Sequence, residues 1–174
     1  MKKIVQLGEH EALRTKASEV PLEEIQSEKV KSVIADMKET LDAQADGAAL
    51  AAPQIGVPLR IFILAEKVFG SESQHELARK SPHLVFINPT IVKRSGKKAL
   101  MDEGCLSLRG KYGTIKRSTN VTIEAYDEYG KKFSRGAGGL LAQAFQHECD
   151  HFDGVLFCDG AKELWDVEPL QEEK

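Results

Sequence analysis

One short pattern, His147-Glu148-Cys149-Asp150-His151, restricts the folding of this 174-residue chain more than any other feature. Two histidines four residues apart point from one face of a helix, and both imidazoles can then reach a single metal ion. Glu148 lies about 100° further round the helix, which suits a general base acting on water at the metal without binding it. A surface helix with two chance histidines is disfavoured, because Leu140 and Ala144 continue the same stripe. We therefore predict an inward-facing helix over residues 140–151.

A stable metal site needs a third ligand, and the chain offers more than one candidate. Phe157 stands where a metzincin protease would carry its third histidine, which excludes that class. A distant carboxylate and Cys105 remain, and Cys105 is favoured because the neighbouring Gly104 allows the backbone to approach closely. Cys149 and Cys158 are expected to be buried structural thiols.

Composition limits the kind of protein this chain can be. The length suits a single domain over residues 1–174, and a net charge of −3 disfavours strong nucleic-acid binding. Apolar stretches are far shorter than the roughly 18 residues that span a bilayer. The N-terminus lacks an apolar export segment, and three cysteines form no disulfide framework. We expect a soluble, cytoplasmic protein.

Hydrophobic periodicity predicts an α+β fold, with mostly antiparallel sheets packed around the central helix that carries H-E-x-x-H. Strands that precede a helix without regular alternation are typical of this class. A polar loop is expected over residues 66–82, the glycine-rich residues 136–139 should open the central helix, and residues 163–174 should form a short docked helix with a frayed tail. The other predicted elements are an amphipathic helix within 22–44 that ends near Gly47, a half-buried strand at 59–64, a more fully buried strand at 84–88, and a hairpin of 121–126 with 131–135.

Three motifs in this order resemble those of peptide deformylases. The family motifs are G-x-G-x-A-A-x-Q, E-G-C-L-S and H-E-x-x-H. Residues 103–107 and 147–151 match the second and third in full, and Gln146 precedes the third as is usual in the family. Residues 47–54 match the first motif except that Ala49 replaces its second glycine. Weaker similarity covers nearly the whole chain.

The resemblance implies hydrolysis of the N-formyl group from the formyl-methionine of new polypeptides, with release of formate. By similarity, Cys105, His147 and His151 hold one divalent metal ion, typically Fe²⁺, although the same ligands also suit Zn²⁺, Ni²⁺ or Co²⁺. Glu148 would move the proton. The Gln54 side-chain amide and the Leu106 backbone N–H would face the developing oxyanion.

The resemblance also implies which residues meet the substrate, a formyl-Met nascent peptide. These residues are Ala48, Ala49, Gly104, Leu140, Gln143 and Ala144. A methyl group at Ala49 is tolerable only if its φ is negative. Arg109, where the family usually has proline, and the polar Gln143 are further departures.

Several points stay open at the level of sequence. Glu103 and Arg117 form either a pair that orients a metal ligand or two independent surface charges, and the same choice applies to Asp150. A monomer is expected, and transient ribosome contact follows only from the resemblance. Two rival functions are another H-E-x-x-H metallopeptidase and a deformylase-like metal and peptide-binding protein with weak or lost turnover.

Overall fold

A computed structural model describes residues 1–65, 68 and 83–167 of the chain. Eight strands and three helices are present in this part, together with short 3₁₀ turns. The strands are β1 (Ala49–Ala51), β2 (Ile61–Ala65), β3 (His83–Arg94), β4 (Lys98–Gly104), β5 (Lys111–Ser118), β6 (Asn120–Tyr126), β7 (Lys132–Gly138) and β8 (Glu163–Asp166). The helices are α1 (Glu28–Asp42), α2 (Gly139–His151) and α3 (Phe157–Gly160).

The strands form two sheets, one of five strands in the order β1-β2-β3-β6-β7 and one of three in the order β4-β5-β8. Every strand pair is antiparallel. The predicted α+β class is therefore confirmed. β1 and β4 are edge strands, so each presents one row of backbone groups that its own sheet does not use.

Helix α2 lies between the two sheets, since it contacts β1, β3, β6 and β7 of the larger sheet and β5 of the smaller one. Its buried residue Phe145 meets Phe62 and Phe86, whose rings stack with centroids 4.4 Å apart. Helix α1 packs on the same large sheet, against β1 and β2. The inward-facing central helix predicted from the H-E-x-x-H pattern is confirmed.

Strand β2 is more deeply buried than predicted. All four residues from Ile61 to Leu64 are 0% exposed, so the expectation of a half-buried strand is wrong. Ile61 and Ile63 pack in the cluster that includes helix α1, whereas Phe62 and Leu64 pack in the cluster that includes helix α2. Because successive side chains point to opposite faces, a strand covered on both faces carries no polar positions.

Two boundaries also differ from the predictions. Residues 136–138 extend strand β7, paired with β6, and only Gly139 belongs to the helix, so the glycine-rich segment does not as a whole open it. Helix α1 lies within the predicted range but ends at Asp42, short of Gly47. The predicted hairpin is confirmed as β6 and β7.

The predicted C-terminal helix is wrong, because residues Glu163–Asp166 form β8. Trp165 pairs with Tyr112 and Leu164 with Gly113. A Cβ atom on Gly113 would lie 2.7 Å from the Leu164 side chain, so the glycine lets this strand dock on β5. Residues 168–174 and the predicted loop 66–82, apart from Val68, lie outside the described residues.

Candidate active site

Three side chains predicted as metal ligands come together between helix α2 and the end of β4. The ligand atoms of Cys105, His147 and His151 all lie within 4.8 Å of one another. Cys105 Sγ and His151 Nε2 are 3.5 Å apart. Metal–sulfur and metal–nitrogen bonds of about 2.3 and 2.0 Å at a tetrahedral angle would place these atoms about 3.5 Å apart. The donor set therefore fits one ion.

Glu103 orients His147 from behind. Its Oε2 accepts a hydrogen bond from His147 Nδ1 at 2.9 Å, which leaves Nε2 as the ring atom available to a metal. Arg117 donates to both carboxylate oxygens of Glu103, at 2.7 and 2.8 Å, and also to Asp150 at 2.6 Å. Of the two readings that the sequence left open, the orienting network is therefore confirmed.

The charged forms of Glu103 and His147 are stabilised by their hydrogen-bond partners against the effect of burial. Burial acts to raise the pKa of Glu103, but the hydrogen bonds from Arg117 and His147 lower it to about 2. Burial acts to lower the pKa of His147, but hydrogen bonds to Cys105 and Glu103 raise it well above its usual value. Burial lowers the pKa of His151 well below its usual value, which favours the neutral imidazole that metals bind.

Glu148 follows His147 on helix α2 and is 3% exposed. No described residue donates a hydrogen bond to its Oε2. Burial raises the pKa of Glu148 to about 7, and the nearby His147 opposes the rise. A buried carboxyl group with a free oxygen and a pKa near neutrality can both accept and release a proton.

Gln54 and Leu106 lie beside the thiol. Gln54 Oε1 accepts the Ala51 N–H at 2.8 Å, and its Nε2 lies 3.4 Å from Cys105 Sγ and 3.3 Å from Ser107 Oγ. The Gln54 amide is thus held at the cluster with its donor turned toward it. Leu106 directly follows Cys105 in a turn closed by a bond from Leu108 N–H to Cys105 C=O at 2.9 Å.

The predicted substrate-binding residues lie on the two edge strands, directly before β1, and on the first half of helix α2. Ala49 opens β1 with a φ that is not positive, so the methyl group there is tolerated. Gly104 ends β4, and a Cβ atom on it would lie 2.9 Å from the Tyr112 ring. Ala48, Gln143 and Ala144 are half-buried, whereas Leu140 is 62% exposed.

Cys149 and Cys158 lie outside the ligand cluster. Both are only partly buried, so the expectation of buried thiols holds in part. Burial raises the pKa of Cys149 to about 12, which keeps this thiol protonated. Ser107 belongs to the second motif, but its contact with Gln54 was not predicted. Gln6, which contacts Leu106, was missed because no spacing in the sequence marks it.

The comparisons with known proteins agree with this geometry. A family model described as polypeptide deformylase matches residues 1–166. The chain belongs to the polypeptide deformylase family. It is 44% identical over 152 residues to the peptide deformylase of Chloroflexus aurantiacus, which covers 83% of this chain and 79% of that protein. It is 42% identical over 153 residues to peptide deformylase 1A, chloroplastic/mitochondrial, of Arabidopsis thaliana, covering 84% of this chain but 56% of that longer protein.

Solved structures show the same fold. A peptide deformylase from Legionella pneumophila superimposes with a TM-score of 0.77 at 37% identity, covering 93% of this chain and 86% of that one. One from Synechococcus elongatus, in complex with actinonin, gives 0.76 at 34% identity and covers 93% and 79%. The chain is therefore a hydrolase that removes N-formyl groups, in a metal-dependent family. No helix in the described part of the chain is long and apolar enough to cross a membrane.

Proposed function

We propose that this chain removes the N-formyl group from the formyl-methionine of newly made polypeptides and releases formate and a free amine. The observation that carries this proposal is the joint placement of three ligand atoms within 4.8 Å of one another and the buried carboxyl group of Glu148 beside them. A thiolate with two imidazoles leaves room on a metal for water, which is the arrangement of a catalytic site.

Cys105, His147 and His151 would hold one divalent ion, for which Fe²⁺ is the first candidate and Zn²⁺, Ni²⁺ or Co²⁺ are alternatives. When bound, such an ion supplies Lewis-acid polarisation of the formyl group and lowers the pKa of water. Glu148 takes the proton from the attacking water at its unpartnered Oε2 and later gives it to the departing amine.

Gln54 and Leu106 would stabilise the negative charge that develops on the formyl oxygen. Gln54 Nε2 is already held beside Cys105 Sγ at 3.4 Å, so its donor needs no rearrangement before the reaction. The Leu106 N–H belongs to the peptide unit whose carbonyl accepts a bond from Leu108. Since N–H and C=O of a trans peptide point in opposite directions, the Leu106 N–H faces away from that turn.

The substrate backbone would enter between the edges of β1 and β4 as an added strand. Gly104 pairs with Tyr112, and Asp102 pairs with Thr114. The Thr114 carbonyl accepts a hydrogen bond from the Lys162 N–H at 2.8 Å, so it points to the β8 side of β5 and not to β4. Backbone groups of Asp102 and Gly104 therefore point to the free edge of β4. Ala49 occupies the edge of β1.

The methionine side chain would lie against the first half of helix α2. Ala144 and Gln143 precede His147 by three and four residues and so share its face. Leu140 and Ala48 would complete the pocket. Gln143 Nε2 donates to the Asp102 carbonyl at 2.8 Å, so the aliphatic part of this polar residue can face the substrate.

The remaining expectations belong to the same proposal. We take the chain to act as a monomeric single domain in the cytoplasm, with formyl-Met nascent peptides as substrates and transient ribosome contact. The net charge of −3 supports weak rather than strong nucleic-acid affinity.

Formate release under anaerobic conditions, with metal analysis of the same sample, tests the proposal. Matched peptides with formyl-Met, acetyl-Met and unblocked Met at the first position should yield product only from the formyl peptide. Cys105→Ser should lose both metal and activity, whereas Cys158→Ser, at a thiol outside the cluster, should keep both. Comparable cleavage of the acetyl or an internal amide would contradict the substrate, and stoichiometric metal without formate release would indicate a binding protein.

A further inference from the structure

The N-terminal segment of the chain runs along the back of the two groups that face the oxyanion. Val5 N–H donates to the Gln54 carbonyl at 2.9 Å, and Leu7 N–H donates to the Ser107 carbonyl at 3.0 Å. Gln6, between them, turns its half-buried side chain the same way. Its Nε2 donates to the Leu106 carbonyl at 3.0 Å.

Gln6 is itself fixed. The Glu9 carboxylate accepts a hydrogen bond from the Gln6 backbone N–H at 3.1 Å, and Gln6 Oε1 accepts one from the Arg109 backbone N–H at 3.4 Å. The side chain therefore bridges the N-terminal segment to both sides of the turn that follows the ligand Cys105. A residue anchored at its backbone and at both ends of its amide has few alternative rotamers.

These contacts hold the two peptide units on either side of the Leu106 Cα atom. The Leu108 N–H donates a hydrogen bond to the Cys105 carbonyl, and Gln6 Nε2 donates one to the Leu106 carbonyl. The next residue, Ser107, holds Gln54 through its Oγ at 3.3 Å. A shift of this turn would therefore move the Leu106 N–H and the Gln54 amide together.

From this geometry we propose that Gln6 is a positioning residue, which sets the Leu106 N–H and, through Ser107, the Gln54 amide for stabilisation of the oxyanion. This inference rests on the proposed deformylase function. Donors to an oxyanion act only when charge develops, so an error in their placement lowers turnover and leaves ground-state binding unchanged.

The test compares Gln6→Met with Gln26→Met. Gln26 is a matched control because its Nε2 also donates to a main-chain carbonyl, that of Tyr129 at 2.7 Å, on an exposed part of the chain. Removal of a whole oxyanion donor lowers kcat about 10² to 10³-fold, so we expect misplacement in Gln6→Met to lower kcat about tenfold. KM should stay within about twofold, metal content should be unchanged, and Gln26→Met should match the wild type.

A second comparison separates positioning from general structural support. In a Gln54→Ala background the added effect of Gln6→Met should shrink to about threefold, because only the part that acts through the Leu106 N–H remains. Gln6→Glu, which keeps the shape and lacks the amide donor, should reproduce the loss. A wild-type kcat in Gln6→Met, a change confined to KM, or the full tenfold loss in the Gln54→Ala background would each overturn the inference. Absence of formate release by the wild type would instead overturn the proposed function and this inference with it.

Discussion

At the scale of single residues, Glu148 is distinguished by a buried carboxylate oxygen, Oε2, that has no partner among the described residues. Glu103 and Asp150 form ion pairs with Arg117, so their negative charges are neutralised by its guanidinium group. Glu148 is as deeply buried as Glu103, yet no described residue donates to its Oε2. An unsatisfied buried oxygen costs stability, which is explained if its partner is the reacting water.

Glu148→Gln should therefore abolish turnover without disturbing the metal ligands. The amide keeps the shape of the side chain but cannot take a proton, so we expect kcat to fall by about 10² to 10⁴-fold. Metal content and unfolding temperature should stay close to the wild type. Asp153→Asn, at an exposed carboxylate just beyond the same helix, serves as control, and retention of most activity in Glu148→Gln would refute the assigned base.

Arg117 supports a different residue-scale prediction, on stability. The side chains of Arg117 and Glu103 are 7% and 3% exposed, so Arg117→Met leaves a buried carboxylate with one fewer partner. Breaking a buried pair in this way costs about 3 to 5 kcal/mol. Urea unfolding should show a loss of this size, and also weaker metal binding, because His147 loses its fixed partner.

The control for Arg117 is Lys132→Met. Lys132 pairs with Glu124 at 2.8 Å, but both side chains are well exposed. Exposed pairs contribute at most about 1 kcal/mol. Equal losses in the two variants would show that burial does not distinguish these ion pairs.

At the scale of elements, the turn after helix α2 depends on Gly154. Its φ is +70°, and a Cβ atom would lie 2.6 Å from the Arg14 carbonyl oxygen. Gly154→Ala should cost at least about 1 to 2 kcal/mol from the backbone conformation alone, with the contact adding to it. Gly136→Ala, in strand β7 with nothing within 4 Å, should be close to neutral. Thermal unfolding of both variants decides the matter, and similar melting temperatures would count against this account.

Elements were predictable where their own side-chain pattern determines them. Helix α2 follows from its apolar stripe, and the hairpin of β6 and β7 follows from alternation around a turn. Strand β8 was missed because its stability comes from pairing with β5 and from contact between Leu164 and Gly113. Strand β1 was not predicted because Ala49–Ala51 is short and alanine-rich, and alanine is depleted in strands.

At the scale of the whole molecule, the site too has residues that a local sequence pattern predicts and contacts that no such pattern predicts. The candidate ligands could be named because histidines at one helical spacing and a short cysteine motif are visible in the sequence. The contacts that surround these ligands join segments far apart in the chain, such as Gln6 with Leu106 and Glu103 with His147. Such contacts depend on how the two sheets and helix α2 pack, which no local pattern encodes.

Because of this packing, a metal ion bound by the three candidate ligands would link two parts of the fold. Cys105 follows β4 of the smaller sheet, whereas His147 and His151 belong to helix α2. A ligand that binds only the folded chain stabilises it, by about 2.7 kcal/mol at 100 times its Kd. For a chain of this size 1 kcal/mol shifts Tm by about 2 to 4 °C, so removal of the metal by a chelator should lower Tm by about 5 to 10 °C. In Cys105→Ser, which removes a candidate ligand, the chelator should not change Tm. In Cys158→Ser, which removes none, the chelator should lower Tm as much as in the wild type. A Tm that is the same with and without metal in the wild type would mean that these three side chains do not hold an ion.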